Sequence, residues 1–433
     1  MYFVCPIRIL HQLEEKFMRI VQIRITPIAV PDLPLINCKG VHQSVFLRSI
    51  IELETDDGLI GLGETYGARR TLEGLQKTAN QLIGLNPFRL NDLRLRVNAA
   101  LPEGGGVNAP TAVADHQLVD VVFSAFEVAC LDLQAKRLNI PLHELLGGKI
   151  RDRAGFSAYL FFKFASPGGD RAKDPWGDVR TPDALVEEAR TFVGQYGFKS
   201  LKLKGGVLEP DLEIETLFKL REAFPHHPLR IDPNGVWTVE TAIRFAKATE
   251  GILEYLEDPV LGMDNMAAVA REAPMPLATN LCVIEFQHLP EAIRKNAVKV
   301  ILSDHHYWGG LRASQHLAKI CASWGISLSM HSNSHLGISL AAMTHLATTT
   351  QNLTYDCDTH SPWTEVDVIK GGQPKFVDGA LAPPDGPGLG VELDREAVAR
   401  LHTLYLSQGV TDRDDTAEMR KYIPDYIRKV PRW

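Results

Sequence analysis

Between residues 200 and 360, short apolar runs recur at regular intervals, and each closes on a polar side chain. They read SLKLK to Lys204, LRID to Asp232, LEYLE to Glu257, PLATN to Asn280, VILSD to Asp304, LSMH to His331 and LTYDCDTH to His360. Subtracting those positions gives steps of 28, 25, 23, 24, 27 and 29 residues, the length of a strand, a helix and two loops. The stretches between them, such as TPDALVEEARTFVGQYG, VETAIRFAKATEG and GGLRASQHLAKICASWG, carry helical apolar spacing. Thr181-Pro182 is a cap and first-turn pair, because proline lacks only an N–H that the first turn leaves unpaired. Counting SAYLFF ahead of these runs, eight candidate strands predict a closed parallel barrel with right-handed crossovers. The C-terminal strand ends of such a barrel converge on one face, which holds the active site.

The first 150 residues follow another rhythm. Residues 18–30 alternate as a strand, and VFLRSIIELET and LIGLGETYG flank Asp56-Asp57-Gly58, a hairpin signal because both central turn residues favour positive φ. From Thr71 to about Leu146 the spacing is helical, broken by turn chemistry at 102–111. Residues 1–17, interrupted by Pro6, Arg8 and His11, read as an extension ahead of the strand that begins at Met18, not as a secretory signal. After Trp363 a Gly/Pro-rich stretch ends the barrel pattern. The expected division is therefore 1–17 extension, 18–150 an α+β capping domain, 151–370 the barrel, and 371–433 a segment returning to the cap.

Composition narrows the function. At 45% hydrophobic, 23% charged and a formal charge of −7, the composition argues against a nucleic-acid or anionic-membrane partner. Its six scattered cysteines contain no C-x-x-C pair, which predicts reduced core thiols and a cytoplasmic setting. No G-x-G-x-x-G follows a strand, so a dinucleotide fold loses support.

Asp232, Glu257 and Asn280 end three successive strands. Three oxygen donors without a thiolate suit Mg²⁺. Helix capping explains any one of them, but three in consecutive units favour the metal. Lys202 and Lys204 flank one leucine and share a face; two ammonium groups side by side near a divalent cation are expected to depress each other's pKa, which makes a lysine a usable base. Asp304 and His331 lie one unit apart, and a carboxylate accepting one imidazole N–H makes the other nitrogen a competent base. His331 and His335 have H-x-x-x-H spacing but no glutamate between them, so a zincin is discounted. His305, His306 and His345 read as structural or solvated. A divalent cation flanked by a lysine and an Asp-backed histidine is equipment for removing a proton next to a carboxylate.

With these residues placed, FKSLKLKGGVLEP, RIDPNGVW, YLEDP, LATN, MHSNSH, DTH and GPGLGVELD together resemble the enolase superfamily, and within it the glucarate dehydratase group. The resemblance covers nearly everything after Met18. It implies an α/β architecture, a modified (β/α)₇β TIM-type barrel under an N-terminal α+β cap that shapes specificity. It implies Mg²⁺ on Asp232, Glu257 and Asn280, with Lys204 as one base and His331, backed by Asp304, as base or acid on the opposite face. His42, Tyr159, Lys202, Asn234, Ser332, Asn333 and His360 match substrate-contacting positions, and Arg413 matches an arginine that pairs with a substrate carboxylate. The implied reaction is dehydration of an acid sugar, D-glucarate or a related aldarate, to a 2-keto-3-deoxy acid, in a homo-oligomer. The chain departs from the pattern after EDP, where Met263 replaces an acid and Asp264 stands beside it as a weaker metal candidate. The same two bases also serve a racemase or epimerase, and a weakly catalytic binding paralogue is the third reading.

Overall fold

The computed structural model describes residues 18–108, 115–166 and 174–433. The expected extension at 1–17 and part of the turn at 102–111 lie outside the described residues. Three antiparallel strands, β1 (Ile20–Pro31), β2 (Val45–Thr55) and β3 (Ile60–Tyr66), form the N-terminal sheet in that order. The turn between β2 and β3 is longer than the two-residue form, since Thr55 N–H bonds Leu59 O at 3.0 Å. Of its residues only Gly58 has a positive φ, +82°; Asp57 instead accepts the Thr55 hydroxyl at 2.6 Å.

Helices α1 (Arg69–Leu82), α2 (Leu90–Ala100) and α3 (Leu118–Leu138) follow. The sequence of α3, VVFSAFEVACLDLQA, is apolar all round and is buried from Val121 to Ala135, as expected of a helix enclosed on every side. It lies close on β3: a Cβ on Gly61 or Gly63 would meet the Ala129 or Ala125 carbonyl oxygen at 2.2 or 2.3 Å. Its acids serve neighbours on both sides. Asp132 accepts the Leu62 N–H of the sheet at 2.9 Å, while Glu127 accepts Leu311 N–H at 3.0 Å and Arg312 N–H at 3.2 Å, at the start of a barrel helix.

The barrel strands are β4 (Ser157–Phe161), β5 (Ser200–Lys204), β6 (Leu229–Asp232), β7 (Leu253–Glu257), β8 (Leu277–Thr279), β9 (Val300–Ser303) and β10 (Ser327–Met330), parallel and paired in sequence order. The eighth segment closes the ring through isolated parallel bridges, Leu328 with Leu353 and Phe156 with Cys357. Between those bridges the Asp356 carbonyl accepts Arg230 Nη1 and the Ser329 hydroxyl, each at 2.8 Å. The result is the (β/α)₇β barrel with its N-terminal cap. Intervening helices are α4 (Pro182–Tyr196), α5 (Pro210–Ala223), α6 (Val239–Ala248), α7 (Met263–Ala270), α8 (Leu289–Lys295), α9 (Leu311–Ser323) and α10 (Gly337–Thr349). Thr181 caps α4 from Ala184 N at 3.2 Å with Pro182 in the first turn, and Gly197 ends it at φ +73°.

Parallel register lines up the inward side chains. Tyr159, Lys202, Arg230 and Tyr255 are successive partners at one level, and Phe161, Lys204 and Asp232 at the next. Past the barrel, α11 (Arg395–Gln408) returns to the N-terminal sheet. Leu404, Tyr405 and Val410 pack on Ala29, Val45 and Leu47, His402 donates from Nδ1 to Pro27 O at 2.7 Å, and Arg395 pairs with Glu52 at 2.7 Å. Among the described residues every cysteine is free, and no helix is long and apolar enough to cross a membrane.

Candidate active site

The strand ends converge as the spacing predicts. Asp232, Glu257 and Asn280 stand at the C-terminal ends of β6, β7 and β8, all buried. Carboxylate oxygens of Asp232, Glu257 and the adjacent Asp258 lie within 4.8 Å of one another. Asp258 is directed away from metal duty: its oxygens accept Asn280 N–H at 2.7 Å and the Thr279 hydroxyl at 2.5 Å. Burial, reinforced by Asp232, pushes its carboxyl up to about 7. Asn280 donates its amide to Glu257 Oε1 at 2.7 Å, which turns its amide oxygen away from that carboxylate. Two buried carboxylates and one amide oxygen are hard donors, and the residues present fit Mg²⁺. Asp264 does not join them. Its side chain is 85% exposed and pairs with Lys295 outside the barrel.

Cations fill the space between these acids. Lys204 Nζ lies 2.6 Å from Asp232 Oδ2. Lys202 Nζ is 2.7 Å from Glu257 Oε2, 2.6 Å from Asp358 Oδ2 and 3.9 Å from Asp232 Oδ2. Three carboxylates around Lys202 act against the expected mutual depression. Burial pulls its pKa down, but Asp358, Glu257 and Asp232 outweigh burial and hold it above the usual lysine value. Lys202 is therefore a fixed cation. Burial, with Asp232 and Asp358 as neighbours, holds Glu257 well above the usual carboxylate range despite Lys202; for Asp232, Lys204 and Lys202 overcome burial and hold it below that range. Asp358, two residues before His360, is a member of the site that strand-end spacing does not single out.

Across the barrel mouth, Asp304 Oδ2 lies 3.1 Å from His331 Nδ1. Burial raises the Asp304 carboxyl, yet its histidine neighbours, His306 and His335 first among them, hold it well below the normal range. It is an anion, so His331 presents Nδ1–H to it and keeps Nε2 for the reaction.

The expected substrate contacts surround this centre, and several carry polar atoms with no protein partner. His42 Nε2, Ser332 Oγ, Asn333 Nδ2 and Arg413 Nη2 are buried and unpaired. His42 is anchored by Nδ1 at 3.0 Å from Asp32. Tyr159 lies under Lys202 Nζ, 4.8 Å from the ring centre, with its hydroxyl 3.5 Å from Asp232 Oδ2. His360 packs on Tyr159, ring centres 4.8 Å apart, and burial keeps it neutral, well below the usual histidine value. Asn234 has a different partner. At φ +52° it gives its amide to both Asp232 oxygens, at 2.9 and 3.1 Å, and so orients that acid. Arg413 spends part of its guanidinium on Asp415 at 2.5 Å and Asp32 at 3.4 Å, leaving Nη2 for a further acceptor.

Two devices fix the loops. Buried Glu213 accepts the N–H groups of Gly206, Val207 and Leu208 at 3.0, 2.8 and 3.0 Å, setting the turn after Lys204. The buried Arg48–Glu64 pair of the sheet, 2.7 Å apart, bonds the loop after β10. Arg48 donates to Asn333 O at 3.3 Å, and Glu64 accepts Leu336 N–H at 3.0 Å and Ser339 N–H at 2.8 Å.

Known proteins share this plan. Residues 22–147 match the N-terminal domain model of mandelate racemase / muconate lactonizing enzyme, and residues 184–397 match the enolase C-terminal domain-like model. A protein of Streptomyces coelicolor named probable glucarate dehydratase is 48% identical over 431 residues, 96% of this chain and 99% of its own. An enolase from Gibberella zeae, solved with magnesium, formate and sulfate, superposes with a TM-score of 0.94 at 50% identity, covering 98% of this chain and 100% of that one. One from Mycobacterium smegmatis, solved with tartrate, gives 0.91 at 52% identity over 97% and 99%. Both halves of the barrel-and-cap plan are matched, and the chain belongs to the enolase superfamily of enzymes.

Proposed function

We propose that this enzyme is a Mg²⁺-dependent hydro-lyase that dehydrates an acid sugar, D-glucarate or a related aldarate, to a 2-keto-3-deoxy acid. The observation that carries the reading is one oxygen-donor set on β6–β8 flanked by Lys204 on β5 and the Asp304–His331 pair beyond β9 and β10. When bound by Asp232, Glu257 and Asn280, Mg²⁺ supplies positive charge opposite a substrate carboxylate. Lys202, a permanent cation, adds to that charge where an enediolate develops. Lys204 or His331 takes the proton α to the carboxylate according to its configuration. Where His331 takes it, Nε2 passes that same proton to the departing β-hydroxyl; where Lys204 takes it, His331 enters as the imidazolium and its Nε2–H protonates the hydroxyl, after which the enol tautomerises. His42, Ser332, Asn333 and Arg413 hold hydroxyls and the distal carboxylate with their unpaired buried atoms. Residues 18–150 act as the cap and 151–370 as the barrel, with 371–433 completing the cap, and the assembly is a cytoplasmic homo-oligomer. The named relative and the tartrate-bound neighbour support the substrate class.

The test is incubation with Mg²⁺ and a panel of mono- and diacid sugars, detecting 2-keto-3-deoxy products as semicarbazones. Turnover of an aldarate, lost with chelator and lowered ~10²–10⁴-fold in Lys204→Ala or His331→Asn, is expected. Exchange of the α-proton with solvent, without product, would move the reading to an epimerase.

A further inference from the structure

Asp304 answers to more than one histidine. Its Oδ1 accepts both the backbone N–H of His306 at 2.9 Å and the ring Nδ1–H of His306 at 2.7 Å. Its Oδ2 faces His331 Nδ1 at 3.1 Å, with His335 Nε2 at 3.4 Å. The His306 contact is the shortest of the three imidazole contacts. Because an ionised carboxylate only accepts, the proton on His306 Nδ1 is fixed.

The far side of His306 meets both the cap and barrel helix α10. Its Nε2 lies 3.2 Å from Glu64 O, 3.3 Å from Arg48 Nη2 and 3.0 Å from Ser339 Oγ. Around the ring stand Tyr66 at 5.4 Å, His305 at 4.1 Å and His335 at 4.8 Å between ring centres. Burial holds His305 and His335 below the usual histidine value, so Arg48, Glu64 and Asp304 are the fixed charges of this neighbourhood.

We propose that His306 is a positioning residue: clamped on one nitrogen between Arg48 and Glu64 of the cap and Ser339 of α10, it holds Oδ1 of Asp304 with the other and leaves Oδ2 to His331. This rests on the reading that His331 handles a proton in the reaction. A carboxylate shared between two donors bonds each less strongly than one held by a single donor. Docking of the cap and orientation of the barrel's acid–base histidine are thereby one arrangement, joined through a side chain that touches no substrate.

The pair His306→Asn and His306→Gln separates the two bonds. An asparagine amide falls where Nδ1 was and keeps the bond to Asp304; a glutamine amide reaches the Nε2 position and keeps only the far-side contacts. The full-length enzyme, labelled with [¹⁵N]histidine, is read by the ring N–H proton resonance of His331, assigned with His331→Asn. In the glutamine variant that resonance is expected to move downfield as Asp304 turns fully to His331, and in the asparagine variant to stay. Dehydration kcat is expected to fall about tenfold in the glutamine variant with KM held, a fraction of the ~10²–10⁴ that a positioned acid or base contributes. The asparagine variant is expected to restore kcat. An unmoved resonance in the glutamine variant, or equal movement in both, overturns the proposal. Silence of the wild-type enzyme on every acid sugar overturns the dehydratase reading instead, since the resonance is read without substrate.

Discussion

Arg48→Met tests whether the buried Arg48–Glu64 pair, which bonds the loop after β10, acts as a unit. Arg48 and Glu64 are 1% and 0% exposed, 2.7 Å apart. Removing the guanidinium leaves a buried carboxylate with two backbone donors, Leu336 and Ser339, and breaking a buried pair costs about 3–5 kcal/mol. Unfolding entropy of about 2.1 cal/mol/K per residue gives roughly 0.9 kcal/mol/K for this chain, so the loss is about 3–6 °C in Tm. In the folded state Glu64 is held below the ordinary carboxylate range, because Arg48 and the two backbone donors outweigh burial. Such a depressed acid contributes stability that is present above its unfolded value and lost as pH falls through the folded one. Calorimetry at pH 7 therefore reads the full difference. Glu64→Gln should cost a similar amount, and the double variant, with no charge left buried, no more than the worse single. Strictly additive losses, or an Arg48→Met shift below about 1 °C, would refute a coupled pair.

Other outcomes follow from the same geometry. Burial pushes Glu127 up to about 7 against the Leu311 and Arg312 N–H groups. A raised acid costs stability as pH climbs from its unfolded value, near 4.5, to about 7. Glu127→Gln should flatten the fall of Tm over that window, by up to about 3 kcal/mol in stability; an unchanged slope would count against the assignment. Asp358→Ala leaves Lys202 to lean on Glu257 and, at 3.9 Å, Asp232, both metal ligands in the proposed site. The Mg²⁺ concentration for half-maximal turnover should rise ~10–100-fold, and an unchanged value would remove Asp358 from the metal's surroundings.

The ladder of strand ends was legible because a βα unit has a fixed length, so chemistry at each rung repeats visibly in sequence. Helices with clear caps, such as α4 behind Thr181-Pro182, were equally readable. Helix α7 was not, being eight residues long with little room for a period to declare itself. Helix α11 was hidden behind a Gly/Pro-rich stretch whose composition suggests only loop, although Val398 and Leu401 are buried at helical spacing. The site's supports were illegible for a different reason. Arg48 meets Asn333 across 285 residues, Glu64 meets Leu336 across 272, and Lys202 meets Asp358 across 156. No local pattern announces such partners. The pull of Asp358 on Lys202 was hidden on the same ground.

The face of the N-terminal sheet formed by Ala29, Val45 and Leu47 is covered by Leu404, Tyr405 and Val410, which a ribosome makes long after it. At about 5–20 residues per second, the roughly 330 residues between β3 and α11 take on the order of 15–65 s to synthesise. Throughout that interval the first-made sheet waits with a bare apolar surface. The order of translation thus runs against the order of packing, and the apolar face of the sheet stays uncovered until α11 emerges.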